Sequence, residues 1–369
     1  MNIALVTKPD RQMTGLLRYA LGLLQELRAR GLDVTLLHPR PPLPRWLVQR
    51  LKAANWDAQA FFATYPLSVS TPGATLCHLA GQSLATLLLV RHLPTVVTVH
   101  DIIPYLLRGD KVLGTYQHAF DRLFDLLAMR ALGRARRLIA SSAFTRRTII
   151  DSLGIPGHRI DVVHLSVNRD LFRPLSRPSQ VRETYGLEPQ QPLVIFVGSE
   201  DPRKNLATLI GAFALVRRRL PHAALLKIGA AHFLDQRQRL LRLVHELGLG
   251  GSVRFLDHVP DKDLPLWYNA ADVFVLPSLY EGFGYPALEA MSCGTPVIAA
   301  NRASLPEVVG QGGTLVDPQD EQQMAREITR LLVDPERRAA ASEAALAQAA
   351  RFSPQRQADQ TIAVYEQIA

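Results

Sequence analysis

Short apolar runs alternate with longer stretches of helical spacing along the whole chain. NIALVT (2–7) comes first, and GLLRYALGLLQELRARG (15–31) then repeats its apolar residues every three to four positions. DVTLLHP (33–39) returns to a strand pattern, and ATLCHLA, TVVTVH, RRLIASS and IDVVHLSV continue it. A polar stretch with prolines, RPLSRPSQVRETYGLEPQQP (173–192), interrupts the alternation and reads as a linker or a helix between loops. The alternation then restarts with LVIFVGS (193–199), AALLKIGAA (223–231), SVRFLDHV (252–259), DVFVLP (272–277), TPVIAA (295–300) and GTLVD (313–317). Residues 321–350 are mostly helical and rich in Ala and Arg, and PQRQADQTIAVYEQIA closes the chain as an amphipathic helix.

This order predicts a parallel α/β protein of two doubly wound, Rossmann-like domains facing each other across a cleft. The expected domains are 1–175 and 189–350, with 351–369 as a C-terminal helix packing back toward the first. Ligands of open α/β sheets sit outside the carboxyl ends of the strands. The loops after LVIFVG, DVFVLP, NIALVT and TVVTV are therefore expected to line the site.

The 369 residues suffice for two such cores, and 47% hydrophobic with 20% charged residues suits a soluble globular chain. MNIALVTKPD reads as a buried strand rather than a signal peptide. The nearest approach to a membrane span, SLATLLLVRHLPTVVTV, is broken by Arg91, His92 and Pro94. Cys77 and Cys293 lie far apart with neither disulfide-framework nor metal spacing, so a reducing cytoplasm is expected. The net charge of +9 is uneven: residues 1–188 carry +11 and residues 189–369 carry −2. Either the basic half meets an anionic partner (acidic lipid, phosphorylated acceptor or nucleic acid), or the chain is simply Arg-rich.

SEDPRKN (199–205) follows one buried strand and opens a helix. Arg203 and Lys204 there oppose the helix dipole, and a bound anion would remove that cost and use the free backbone N–H groups. The competing reading is a solvated turn in which Asp201 or Asn205 caps the helix. LYEGFGYPALEAMSCGTPVIA (279–299) places two glutamates eight apart. Gly282 and Gly284 allow close backbone approach to a ligand, and Pro286 suits a first helical turn. Glu289 falls about one turn into that helix, where a lone buried carboxylate is costly unless a ligand hydroxyl or an arginine meets it. The competing reading for Glu281 and Glu289 is a cap plus a buried ion pair.

The whole stretch ADVFVLPSLYEGFGYPALEAMSCGTPVIA, together with VGSEDPRKNL and the opening strand and helix, resembles the Glu-x7-Glu signature region of retaining, GT-B-fold glycosyltransferases of family four. The resemblance covers nearly the whole chain. It implies that Glu281 binds the transferring sugar, Glu289 the ribose hydroxyls, and Arg203 and Lys204 the diphosphate. Backbone groups of Phe283 and Gly284 would donate to sugar or phosphate oxygens, with Gly198 at the strand end in the same binding set. VTVHDIIPY (97–105) ends an apolar strand with His100 and Asp101. On residue type alone Asp101 caps the turn and His100 is a core histidine. The resemblance instead puts His100 on a sugar hydroxyl and Asp101 beside it. The family's paired glycines after the first strand are here Thr14-Gly15, which leaves Gly15 for the close approach. Ser199 stands where some members carry an arginine.

The implied activity is transfer of a hexose, mannose favoured, with retention and without a metal cofactor. The donor would be a nucleoside-diphosphate sugar, GDP-mannose favoured over UDP- or dTDP-sugars. The acceptor would be a glycan or a lipid-linked glycan, with no nucleic acid. The competing functions are a phosphorylase or epimerase of the same fold and a non-catalytic nucleotide-sugar-binding protein. DKD (261–263) is read as a helix start in which Asp263 caps and Pro265 sits in the first turn, not as a metal site. HAFDRLFDLLAMRALGRARRL (118–138) is apolar on one face and basic on the other, suiting either a core-facing helix or peripheral contact with an anionic membrane.

Overall fold

The computed structural model describes the chain apart from residues 10–14, 42, 54–56, 91, 92, 115, 117, 118, 177, 178, 232, 233, 258 and 369. Arg91 and His92, Thr14 with most of the loop after the first strand, and His118 therefore lie outside the described residues.

All twelve apolar runs form strands; most are buried on both faces and so lack a polar side, while the run at 33–37 keeps Asp33 and Thr35 exposed beside buried Val34. The first sheet holds β1 (Asn2–Val6), β2 (Asp33–Leu37), β3 (Leu76–Leu79), β4 (Thr95–Val99), β5 (Arg137–Ala140) and β6 (Ile160–Val162). Its order is β2-β1-β3-β4-β5-β6, parallel throughout. The second sheet holds β7 (Leu193–Val197), β8 (Ala224–Ile228), β9 (Val253–Leu256), β10 (Val273–Leu276), β11 (Val297–Ala300) and β12 (Thr314–Val316). Its order is β12-β11-β10-β7-β8-β9, again parallel.

The chain divides into two compact units, Met1–Ser166 with Pro354–Ala369, and Val167–Ser353. The terminal helix Pro354–Glu366 is held in the first unit, where Tyr365 Oη lies 2.6 Å from His78 Nδ1 and Asp359 pairs with Arg30 at 2.6 Å. The division at Ser166 comes before the boundary at 175 that composition suggests. Residues just beyond it pack into the second unit: Leu175 N donates to Asn269 at 2.8 Å, and the Phe172 ring lies 6.1 Å from that of Tyr268. The polar stretch at 173–192 contains a helix, Ser179–Thr184, rather than a bare linker. Its buried Arg182 donates to Ala270 O and pairs with Asp272 at 3.1 Å.

The second sheet has the doubly wound order in which the first strand of the unit, β7, neighbours the fourth, β10. The chain winds away from that pair in opposite directions, which makes the carboxyl ends of β7 and β10 the switch point where open α/β sheets bind ligands. In the first sheet the corresponding switch lies between β1 and β3.

The ends of β7 and β8 approach closely. Gly229 has φ +130°, and a Cβ there would meet Gly198 O at 2.6 Å. Only glycine combines that dihedral with that contact. Gly229→Ala is expected to lower stability by about 1–3 kcal/mol, read as a lower urea midpoint; an unchanged midpoint would show that the strand ends can part without cost.

Candidate active site

The loop after β7 leads through a single 3-10 turn, Pro202–Lys204, into the helix Leu206–Arg219. Asp201 shapes the turn: its Oδ1 accepts from Arg203 N at 3.1 Å, and its Oδ2 from Arg203 Nε at 3.0 Å. Asn205 then adopts a left-handed conformation, φ 58°, and begins the helix with no side-chain cap bond. Its Nδ2 instead donates to Pro277 O at 3.2 Å and Pro318 O at 2.7 Å. That ties the loop after β7 to the one after β10. Arg203 and Lys204 therefore precede the helix instead of lying in its first turn.

The second loop brings Glu281 to these cations. Lys204 Nζ donates to Glu281 Oε1 at 2.5 Å, and Arg203 Nη1 lies 3.7 Å from Oε2. Arg203 Nη1 also donates to Tyr280 O at 2.9 Å, and Leu279 N donates to Arg203 O at 2.8 Å. Ser278 Oγ donates to Glu281 Oε1 at 2.8 Å, and Ser304 Oγ to the Glu281 carbonyl at 2.9 Å. Lys204 is 8% exposed and Glu281 7%, which rules out the solvated turn. Burial by itself would raise the Glu281 carboxyl. The charges of Lys204 and Arg203, with the hydrogen bonds from Lys204 and Ser278, outweigh it and hold the group below the usual carboxylate range.

Glu289 lies in the helix Tyr285–Ser292, 2% exposed, and accepts from the Tyr268 hydroxyl at 2.9 Å. A hydroxyl that a buried carboxylate requires is thus supplied by the protein itself. Gly284 begins this helix at φ 101°, where a Cβ would meet Leu305 Cδ2 at 2.7 Å, and Pro286 falls in the first turn. The Phe283 ring is buried against Phe352 and Tyr285, so only its backbone can serve a ligand. Gly198 directly follows β7, its N–H donating to Ile228 O at 2.8 Å.

His100, Asp101 and Gly15 belong to the first unit. Asp101 caps the turn after β4, accepting from Ile103 N at 3.0 Å. Burial holds His100 below the usual imidazole range, against the opposing pull of its bond to Ala80 O. In the neutral ring Nε2–H donates to that carbonyl, at 2.8 Å, and Nδ1 is left as the acceptor. The Tyr19 ring packs edge-on against His100 at 4.9 Å. Gly15 opens the helix Gly15–Ala29. Asp263 precedes the helix Leu264–Ala270, with Pro265 in the first turn, but makes no side-chain cap bond. The expected Asp263 cap is therefore corrected to a positional one: its backbone stays near helical angles, φ −95° and ψ −12°. Among the described residues no group of three His, Cys, Asp or Glu could hold a metal ion.

Ser278, Ser304 and Tyr268 were not foreseen. Ser278 lies three residues before Glu281 and is within reach of sequence reasoning. Ser304 arrives from the turn before the helix Leu305–Val309 and Tyr268 from the helix Leu264–Ala270, and nothing in their local sequence marks them.

Two Rossmann-like units, one with a cation pair and a carboxylate at its switch point, define a GT-B protein. The description "Glycosyl transferases group 1" matches residues 179–348, and "Glycosyltransferase Family 4" matches 13–171. The chain belongs to the group 1, family-four glycosyltransferases. It is 38% identical over 241 residues to O-antigen chain mannosyltransferase B of Escherichia coli, covering 64% of this chain and 62% of that one. It is 36% identical over 239 residues to D-inositol 3-phosphate glycosyltransferase of Thermobispora bispora, covering 61% and 56%. The matches thus span less than two thirds of the length of these relatives. Sucrose-phosphate synthase from Thermosynechococcus elongatus shares the fold, with a TM-score of 0.76 and 25% identity, over 99% of this chain and 98% of that one. So does Anabaena HepE in complex with UDP-glucose, with a TM-score of 0.73 and 21% identity, over 100% of each chain.

The lowered Glu281 pKa has a consequence for stability. A carboxyl lowered on folding stabilises above its unfolded pKa, and loses that contribution as pH falls through the folded value. Wild type is expected to lose more stability than Glu281→Gln between pH 6 and pH 3, measured by urea midpoints at each pH. Parallel losses would mean that the pair with Lys204 does not hold the carboxylate charged.

Proposed function

We propose that the protein is a retaining hexosyltransferase, moving a sugar from a nucleoside-diphosphate donor to a hydroxyl of a glycan or lipid-linked acceptor. The observation that carries this reading is the buried Lys204–Glu281 pair with Arg203 beside it, at the switch point of the second sheet. A departing diphosphate needs fixed positive charge, and Arg203 and Lys204 supply two cations on a pinned loop. In this reading Glu281 also accepts from hydroxyls of the transferring sugar, and Glu289 and Tyr268 face the ribose. The backbone of Phe283 and Gly284, with Gly198, approaches the phosphates. The second unit holds the donor and the first takes the acceptor. His100 contributes a neutral Nδ1 that accepts from a sugar hydroxyl, with Asp101 fixing its turn, and Gly15 allows close approach at the head of its helix. Two cations placed in this way make a divalent metal unnecessary for the leaving group.

GDP-mannose is the favoured donor, supported by the mannosyltransferase relative, with UDP- and dTDP-sugars as the alternatives. The basic first unit suits an anionic acceptor or peripheral contact with an anionic membrane. On the helix Ala119–Leu132, Phe120 and Leu123 are exposed beside Arg122. No described helix is long and apolar enough to cross a membrane. The proposed location is the cytoplasm, at the inner membrane face.

Thermal shifts with GDP, UDP, ADP and dTDP test the donor site. A nucleotide at a hundred times its dissociation constant stabilises by roughly 2.7 kcal/mol. We expect GDP to shift wild type and not Lys204→Ala. A shift with UDP or dTDP would change the donor, and no shift with any of the four would sink the diphosphate assignment. In transfer assays Lys204→Ala and Glu281→Ala should each lower kcat by about a hundredfold or more. Tight nucleotide binding with no transfer to any acceptor would favour a non-catalytic binding protein.

A further inference from the structure

The second unit contains another buried charge cluster, at the carboxyl ends of β7, β8 and β9. Lys227 on β8 is fully buried, and its Nζ lies 2.6 Å from Glu200 Oε1 and donates to Gly229 O. Arg237, from the helix Leu234–Glu246, donates its Nε to the same Oε1 at 2.7 Å. Its other end reaches Asp257, and its guanidinium lies 4.9 Å from the Phe255 ring centroid. Glu200 is itself 1% exposed, and its Oε2 is buried with no hydrogen-bond partner among the described residues.

Stability does not account for this arrangement. A buried ion pair is often no better than apolar residues of the same volume, and here one carboxylate oxygen is left unmet. What the cluster does supply is position. Glu200 stands between the end of β7 and the two cations of the site. Through it the loop is fastened at one end to β8 and the helix Leu234–Glu246. Through Lys204 and Asn205 the loop is fastened at its other end to the segment after β10. A chain leaving β7 at Gly198 would otherwise have freedom to swing.

We propose that Glu200, gripped by Lys227 and Arg237, is a positioning residue that holds the Glu200–Lys204 loop so that Arg203 and Lys204 meet the donor diphosphate. The proposal rests on the reading of those two cations as diphosphate ligands.

The test uses the full chain as Glu200→Gln, Lys227→Met, and the double variant Glu200→Met with Lys227→Met. Each single change leaves a partner buried and lowers Tm. The double change removes both charges, leaves Arg237 its bond to Asp257, and brings Tm back toward wild type. In the double variant, backbone amides between Ser199 and Asn205 are expected to exchange at least tenfold faster without nucleotide, while those of β10 do not. The dissociation constant of the diphosphate that shifts wild type most should rise at least tenfold. Wild-type exchange in that loop, with wild-type affinity, would overturn the proposal and leave the cluster a purely structural one. Should the double variant not fold, the isosteric Glu200→Gln carries both readouts. A wild type that binds no nucleoside diphosphate would refute the donor reading, while the exchange rates still decide whether Glu200 holds the loop.

Discussion

The ion pair between Lys204 and Glu281 is the constraint on which the second unit's site depends. Neither charge has enough exposure to be satisfied by water, so each needs the other. Their carriers lie 77 residues apart, on the loops after β7 and β10. Those loops can meet only because the two strands are neighbours at the place where the winding reverses. Pairing also sets the protonation state, since a carboxylate beside two cations stays ionised despite burial. An ionised acceptor and a fixed ammonium are the groups that a sugar hydroxyl and a phosphate oxygen require.

Around that pair the structure favours fixed backbone over mobile side chains. Asp201 holds Arg203, Asn205 bridges to Pro277 and Pro318, and Ser304 secures the carbonyl of Glu281. Each bond removes freedom before a ligand arrives, which is how electrostatic stabilisation avoids reorganisation at the moment of reaction. Glu289 follows the same rule with Tyr268. The Glu200 cluster extends it one layer outward, accepting the cost of buried charge on the side of the loop facing the sheet.

The two units use their strand ends differently. In the second, charged side chains converge at the switch point. In the first, the described residues around the end of β4 bring together an imidazole bonded to a carbonyl, the edge of Tyr19 from the helix Gly15–Ala29, and an aspartate engaged as a cap. The +11 charge of residues 1–188 is therefore not concentrated at His100, and much of it lies on exposed arginines such as Arg122, Arg130, Arg134 and Arg136.

Most of the strands were legible because a strand buried on both faces must be apolar along its length, a local property, and the half-exposed β2 because its apolar residues follow a polar start. Glycine and proline around Glu281 were legible for the same reason, since a left-handed turn and a helix start leave local marks. The glutamates, arginine and lysine could be named as chemistry because charges inside apolar surroundings need an explanation. Who answers each charge was not legible. That Lys204 meets Glu281, that Tyr268 meets Glu289, that Lys227 meets Glu200, and that 167–175 joins the second unit depend on strand order. Strand order is fixed by the packing of whole layers, and no short stretch of sequence carries it.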